Sequence, residues 1–242
     1  MPQSAFITGV SSGLGLALAE AYLARGSRVF GLSRRVPASL MGRTGFSFAA
    51  VDLSRLDSIP AAVASLLSGV DGLESVILNA GILSPIGDMA DTPMEKLRLV
   101  MDVNVWANKP LLDTVFSGGR RVDQVVAISS GAAVSGARGW NGYAISKAAL
   151  NMFIKLYAAE RPQTHFASLA PGLVETDMQA YMRTLPADAR YPTVDRLKKA
   201  HGTQAMPNPE AAAALVIQAM EKLRDPQAGF KNGDFHDIRK FD

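Results

Sequence analysis

The sequence predicts an α/β protein: a doubly wound parallel sheet of seven strands with helices on both faces, in a single domain over residues 1–242. Three observations predict it. Short apolar runs alternate with helix-period segments along the whole chain, which argues for right-handed crossovers in one sheet. Several of these runs are near-continuous in apolar residues, as strands buried on both faces must be. The first run leads directly into a glycine-rich turn and then a helix. Composition agrees, with 48% hydrophobic and 19% charged residues: enough apolar side chains for a full core, too few charges for a disordered chain.

Strands are predicted at Ala5–Thr8, Ser27–Leu32, Ser47–Val51, Ser75–Leu78, Gln124–Ser129, His165–Ala170 and, briefly, near Gly233–His236. The clearest helical periods are Gly15–Arg25, Pro60–Leu67, Pro93–Phe116, Trp140–Glu160 and Pro209–Leu223. No repeat or linker divides the chain. One stretch breaks the rhythm, the insertion at about 177–207, with Met178, Tyr181, Met182, Tyr191 and Met206 set among charges. Segments of that length between a strand and a helix are often lids or binding loops.

The first strand ends in Thr8-Gly-Val-Ser-Ser-Gly-Leu-Gly15, with glycines at 9, 13 and 15. Gly9, Ser11, Ser12, Gly13, Leu14 and Gly15 thus form a turn that can approach a pyrophosphate closely, ahead of a helix N-terminus that favours negative charge. The Gly-xxx-Gly-x-Gly spacing differs from the general Gly-x-Gly-x-x-Gly fingerprint, and a plain strand-to-helix turn is the alternative. The second strand ends in Gly31-Leu-Ser33-Arg34-Arg35, where an NAD site usually carries an acid for the ribose 2′-hydroxyl. Ser33, Arg34 and Arg35 offer donors and positive charge instead, which suits a 2′-phosphate and predicts NADP(H). Arg34 is the stronger candidate, and Arg35 the more solvated of the two. Asp52-Leu53 can accept from the adenine amino group, or Asp52 can cap the next helix. Asn79-Ala80-Gly81 either lets the backbone pass close to the adenine ribose or is an ordinary strand-end turn.

Tyr143 and Lys147 lie four apart on a predicted helix and so share a face. An ammonium beside a phenol lowers its pKa from about 10, and a phenol tuned that way can exchange a proton with a carbonyl or alcohol oxygen. Ser130 stands upstream of the pair.

Together these pieces resemble the short-chain dehydrogenase/reductase family over essentially the whole chain. The shared residues are Thr8-Gly9-xxx-Gly13-x-Gly15, Asp52, Asn79-Ala80-Gly81, Asn104, Ser130, Tyr143-xxx-Lys147 and Pro171-Gly172-xxx-Thr176. Ile128-Ser-Ser-Gly-Ala132, Gly139-Trp-Asn-Gly-Tyr143 and Pro171-Gly-Leu-Val-Glu-Thr-Asp-Met-Gln179 look most like its bacterial sepiapterin reductase/benzil reductase-like branch. The resemblance implies a Rossmann-type fold and an NADPH-dependent carbonyl reductase acting on a ketone or diketone, aromatic or pterin-like. It implies Tyr143 as the acid, Lys147 as its tuning partner and ribose ligand, Ser130 on the substrate oxygen, and Asn104 holding a relay water. Pro171, Gly172, the Val174 backbone and the Thr176 side chain would hold the nicotinamide end. Trp140, Met178, Tyr181 and Met182 are the candidate substrate wall. Three departures stand out: Leu78 where the family often has asparagine, a short stretch implying a reduced second helix, and an ending at 234–242 without the glycines of many tetramers. The two long helices make a homodimer the expected assembly.

Two rivals remain: an NADP-dependent alcohol or sugar dehydrogenase running oxidatively, and a non-catalytic NADPH-binding regulatory protein. Other classes are disfavoured. The net charge of +3 contains no basic run, so nucleic acid is not an expected partner. There are no cysteines, and the three histidines, His165, His201 and His236, lack metal-ligand spacing. Ser11 and Ser12 have no histidine near them in sequence, so a hydrolase triad is unsupported. The N-terminus does not read as a signal peptide and no apolar run reaches about 18 residues, so a cytoplasmic protein without a membrane span is expected.

Overall fold

The computed structural model describes residues 3–241; Met1, Pro2 and Asp242, which the predicted domain includes, lie outside the described residues. The first unit runs β1 (Ser4–Thr8), α1 (Gly13–Ala24), β2 (Arg28–Ser33), β3 (Phe46–Ala50), α2 (Ile59–Leu66), β4 (Gly72–Leu78). It continues with α3 (Met94–Met101), α4 (Asn108–Phe116), β5 (Arg121–Ile128), α5 (Ala132–Ser135), α6 (Asn141–Glu160) and β6 (His165–Ala170). The chain ends with α7 (Asp177–Thr184), α8 (Pro192–Ala200), α9 (Pro209–Arg224) and β7 (Phe235–Asp237). All seven strands pair in parallel, in the order β3-β2-β1-β4-β5-β6-β7.

Alternation along the strands divides the core in two. Phe6, Phe30, Leu32, Val76, Leu78, Val125 and Phe166 face one side, where α2, α4 and α6 cover them. Ala5, Ile7, Val29, Ile77, Val126, Ala167 and Leu169 face the other, under α1 and α9. The strand order reverses between β1 and β4, so the segments that follow these strands leave toward opposite faces. A crevice opens at that point beyond the strand C-termini. The glycine turn and Asn79-Ala80-Gly81 border it.

Three predicted elements are redrawn. The connection from β2 to β3 contains no helix at all, only turns around the buried Leu40. The helix predicted over Pro93–Phe116 is broken into α3, a π-turn at Asp102–Trp106 and α4. Pro110 explains the break: it lacks the N–H that Trp106 would bond in a regular helix, and its ring crowds the preceding turn. The wide turn, with Ala107 N donating to Asp102 O at 2.8 Å, absorbs that defect and turns Asn104 inward. The predicted loop at 177–207 is largely the helices α7 and α8.

At the far edge of the sheet, His165 and His236 place their Nε2 atoms where no hydrogen-bond partner reaches them among the described residues. Desolvation pushes both pKa values down, and for His165 the neighbouring His236 adds to the effect. A depressed native pKa means the unfolded chain binds protons first as pH falls below about 6.5. Stability is therefore complete above that pH and declines toward the native pKa values. Urea midpoints measured from pH 8 to pH 5 should fall below pH 6.5, and His165→Gln should flatten the decline. A profile unchanged by that substitution would assign acid sensitivity to other groups.

Candidate active site

The crevice continues into a cavity of about 740 Å³, from the glycine turn to α7 and α8. At one end, Gly9 and Gly13 take positive φ of 77° and 56°, conformations that favour glycine. Asn79 stitches this turn to β4: its Nδ2 donates to Thr8 O at 3.0 Å, while the Thr8 hydroxyl accepts from Asn79 N and Ala80 N, each at 3.0 Å. Gly15 does not line the cavity but lies behind the turn. A Cβ there would stand 2.3 Å from Gly9 O and 2.4 Å from Asn79 Nδ2. The absence of side chains is what allows the first turn of α1 to present its free N–H groups at the cavity wall, the cradle a pyrophosphate requires.

Gly9, Ser11, Ser12, Gly13, Leu14, Ser33, Arg34, Arg35, Asp52, Leu53, Asn79, Ala80 and Gly81 all line this end. Asp52 Oδ1 accepts from Ser54 N at 3.0 Å and Ser54 Oγ at 2.8 Å. Those bonds, with help from Arg34, hold the carboxyl below its ordinary pKa. Arg35 is an exposed, solvated charge in line with the expectation: its Nη2 donates to Ser12 Oγ at 3.3 Å and stands 3.9 Å from the exposed Asp177 at the start of α7. Arg34 makes no ion pair among the described residues and lines the cavity close enough to influence Asp52.

At the other end, β5 delivers Ser130 and α6 delivers Tyr143 and Lys147. Ser130 Oγ accepts from Ala132 N at 3.1 Å, at the start of the short α5, and lines the cavity with Tyr143. The start of α6 is anchored by Ser84, whose hydroxyl accepts from Tyr143 N at 3.0 Å. Lys147 Nζ donates to Ile128 O at 2.7 Å and lies 5.8 Å from the Tyr143 ring centre. Desolvation lowers the Lys147 pKa to about 8. The phenol departs from the sequence expectation: burial pushes the Tyr143 pKa up, with Ser130 opposing. The cause is burial of the hydroxyl, which disfavours the charged phenolate.

Asn104 is fully buried behind Gly81 rather than in the cavity wall. Its Oδ1 accepts from Ile82 N at 2.8 Å, and its Nδ2 donates to Ile82 O at 2.9 Å and Ser146 Oγ at 3.0 Å. Its side-chain amide thus clamps the loop after β4 onto α6, and a water role would fall to the one remaining acceptor position of Oδ1. Pro171, Gly172, Val174 and Thr176 follow β6 along the cavity. Thr176 precedes α7 but makes no side-chain cap bond, and its methyl group packs toward Gly13.

The predicted substrate wall is half corrected. Trp140 lines the cavity with its ring centre 5.7 Å from that of Tyr143, and Met178 lines it from α7. Met182 instead sits in the small core with Trp140, Tyr191, Val194 and Leu197. Tyr181 is exposed and outside the wall, because it falls off the inward helical face that carries Met178 and Met182. Unforeseen wall residues are Leu173, Gln179, Thr193, Arg196 and Leu197, together with Arg239 from the C-terminal segment. The helical spacing of Thr193, Arg196 and Leu197 was a usable signal; nothing local marked Arg239.

Ionic contacts hold α7 and α8 over the cavity. Arg138 chelates Asp88 at 2.7 and 2.6 Å, and Arg190, between the two helices, reaches the same carboxylate at 3.7 Å. On the other side, Glu175 pairs with Arg183 and His201, each at 2.6 Å.

Among the described residues no group of metal-ligating side chains occurs and no helix is long and apolar enough to cross a membrane. A doubly wound sheet, a glycine cradle and a serine–tyrosine–lysine cluster define a nicotinamide-dependent oxidoreductase acting on carbonyl or CH–OH groups. The chain belongs to the short chain dehydrogenase family, whose pattern matches residues 3–186. It is 30% identical to the benzil reductase ((S)-benzoin forming) of Bacillus subtilis over 97% of this chain and 98% of that protein. It is 28% identical to the Bacillus cereus benzil reductase, covering 91% of this chain and 95% of that one. The crystal structure of the KRED1-Pglu enzyme superimposes with a TM-score of 0.82 at 26% identity, over 97% of this chain and 100% of its own.

Proposed function

We propose that the protein is an NADPH-dependent carbonyl reductase that converts a ketone or diketone, aromatic or pterin-like, to the alcohol. The carrying observation is one continuous cavity joining the Arg34–Arg35 end to Ser130 and Tyr143. Bound NADPH would supply the hydride. Arg34 and Arg35 would hold its 2′-phosphate, the glycine turn its pyrophosphate, Asp52 its adenine amino group, and Val174 and Thr176 its carboxamide. Lys147 Nζ would bond the ribose hydroxyls, and the Asn104 clamp would keep the loop after β4 in register with α6.

Ser130 would donate to the substrate oxygen and polarise it, and Tyr143 would protonate that oxygen as hydride arrives. Trp140, Leu173, Met178 and Leu197 give the wall beside it an apolar part, which suits an aryl group on the ketone. A homodimer through α6 fits the exposure of Ile145, Met152 and Leu156 on one face of that helix.

The test is a panel of ketones, α-diketones and sepiapterin, each with NADPH and NADH. Reduction of benzil with NADPH, and a larger loss for NADPH than for NADH in Arg34→Ala, are expected. Loss of one charge-assisted contact corresponds to roughly ten- to a hundredfold in NADPH affinity. Equal losses with both cofactors would remove the 2′-phosphate role, and NADPH binding without turnover of any carbonyl would remove the enzyme reading.

A further inference from the structure

β7 pairs with the end of β6, Ala170 opposite Asp237, so the turn that follows it lands beside Pro171-Gly172. Arg239 extends from that turn across the ends of two strands. A Cβ on Gly172 would lie 3.5 Å from its Cδ, and a Cβ on Gly131 would lie 3.5 Å from its Nη2. The Arg239 side chain thus packs over Gly172 and Gly131, one residue from Ser130, in the same cavity as Tyr143. Asp237, whose side chain is only 10% exposed, fixes it through Nε at 2.8 Å and Nη2 at 2.5 Å. Nη1 makes no hydrogen bond among the described residues. A second arginine, Arg196, reaches the cavity from the α8 face that carries Leu197, and it forms no ion pair among the described residues. The substrate end therefore holds two arginines, of which Asp237 offsets one.

We propose that Arg239, aided by Arg196, selects carbonyl substrates bearing a carboxylate next to the reacting ketone, making the cavity a site for aryl 2-oxo acids. This rests on the carbonyl reductase reading above. The ketone carbon gains hydride from NADPH, which becomes NADP⁺. The ketone oxygen gains a proton through Tyr143, and the carboxylate leaves unchanged on a 2-hydroxy acid. The free Nη1 edge of a planar guanidinium, held in place by its partner, matches a carboxylate oxygen and offers nothing comparable to an ester.

The experiment compares benzoylformate, its methyl ester and benzil, all with NADPH. The wild type should favour the acid over the ester in kcat/KM. Arg239→Gln should lower the acid-to-ester ratio at least tenfold, mainly through KM, and Arg239→Lys should recover part of it. Arg196→Gln should lower the ratio less. NADPH fluorescence titration of each variant establishes that it is folded, and Arg196→Gln with Arg239→Lys carries the test should Arg239→Gln fail to bind cofactor. A ratio unmoved by these substitutions overturns the proposal. So does a wild type that reduces the ester or benzil but not the acid, an outcome that leaves the carbonyl reductase reading standing. No turnover of any of the three overturns that reading, and the anion site with it.

Discussion

Tyr143→Phe should reduce turnover by roughly 10³-fold, near the middle of the range for a general acid, while NADPH affinity changes little. The substitution deletes one oxygen and keeps the ring. That ring packs against Trp140 and belongs to the small core with Met182, Tyr191, Val194 and Leu197, so its contacts survive. What disappears is the hydroxyl proposed as the proton donor, on the cavity that Ser130 also lines. Ser130 can still polarise a carbonyl, but the oxygen then has no proton source beside it. The checks are steady-state reduction of benzil and a fluorescence titration with NADPH. Retention of a tenth or more of wild-type kcat would move the proton-donor role away from Tyr143.

Gly15→Ala should weaken NADPH binding by about a hundredfold, a cost of roughly 2.7 kcal/mol, and lower the melting temperature. The new methyl group would overlap Gly9 O and Asn79 Nδ2, and Gly9 O belongs to the backbone of the turn itself. Overpacking of this kind typically costs about 1–3 kcal/mol. Relief requires the turn to move away from α1, which takes the cradle with it. Asn79, tied to both Thr8 O and Gly9 O, would carry the shift into β4. Thermal denaturation and NADPH titration read the two effects separately. An unchanged NADPH dissociation constant would mean that the glycine turn is not where the dinucleotide sits.

Much of the fold was legible because its signals are local. Apolar runs placed all seven strands, and β4 and β5 each begin three residues earlier than Ser75–Leu78 and Gln124–Ser129. Helical periods placed α1, α2, α6 and α9 to within a residue or two. The break at Pro110 carried a local signal too, but proline alone does not distinguish a kink from a π-turn; the packing of Asn104 against Ile82 and Ser146 does. The site divides in the same way. The glycine turn and the Tyr143–Lys147 spacing are properties of neighbours in sequence, and both reach the cavity. Tyr181 and Met182 were chosen by residue type within a stretch whose inward face was unknown: Tyr181 falls off that face, and Met182 lies on it but is buried in the small core rather than in the wall. Spacing put the lysine on the right side of α6, while the burial that pushes the Tyr143 pKa up comes from packing distant in sequence.

By itself, then, the sequence determined which segments are strands and helices, which glycines turn the chain after β1, and which side chains are candidates for acid–base chemistry. Each depends on backbone preference and periodicity within a turn or two of chain. Only the tertiary structure decided the strand order that opens the crevice between β1 and β4. Only it set Arg35 against Ser12 and brought Arg239 from the C-terminal segment to Gly131, the residue after Ser130. Those juxtapositions join residues tens to more than a hundred positions apart, and they follow from how parallel strands align across the sheet, which no local pattern encodes.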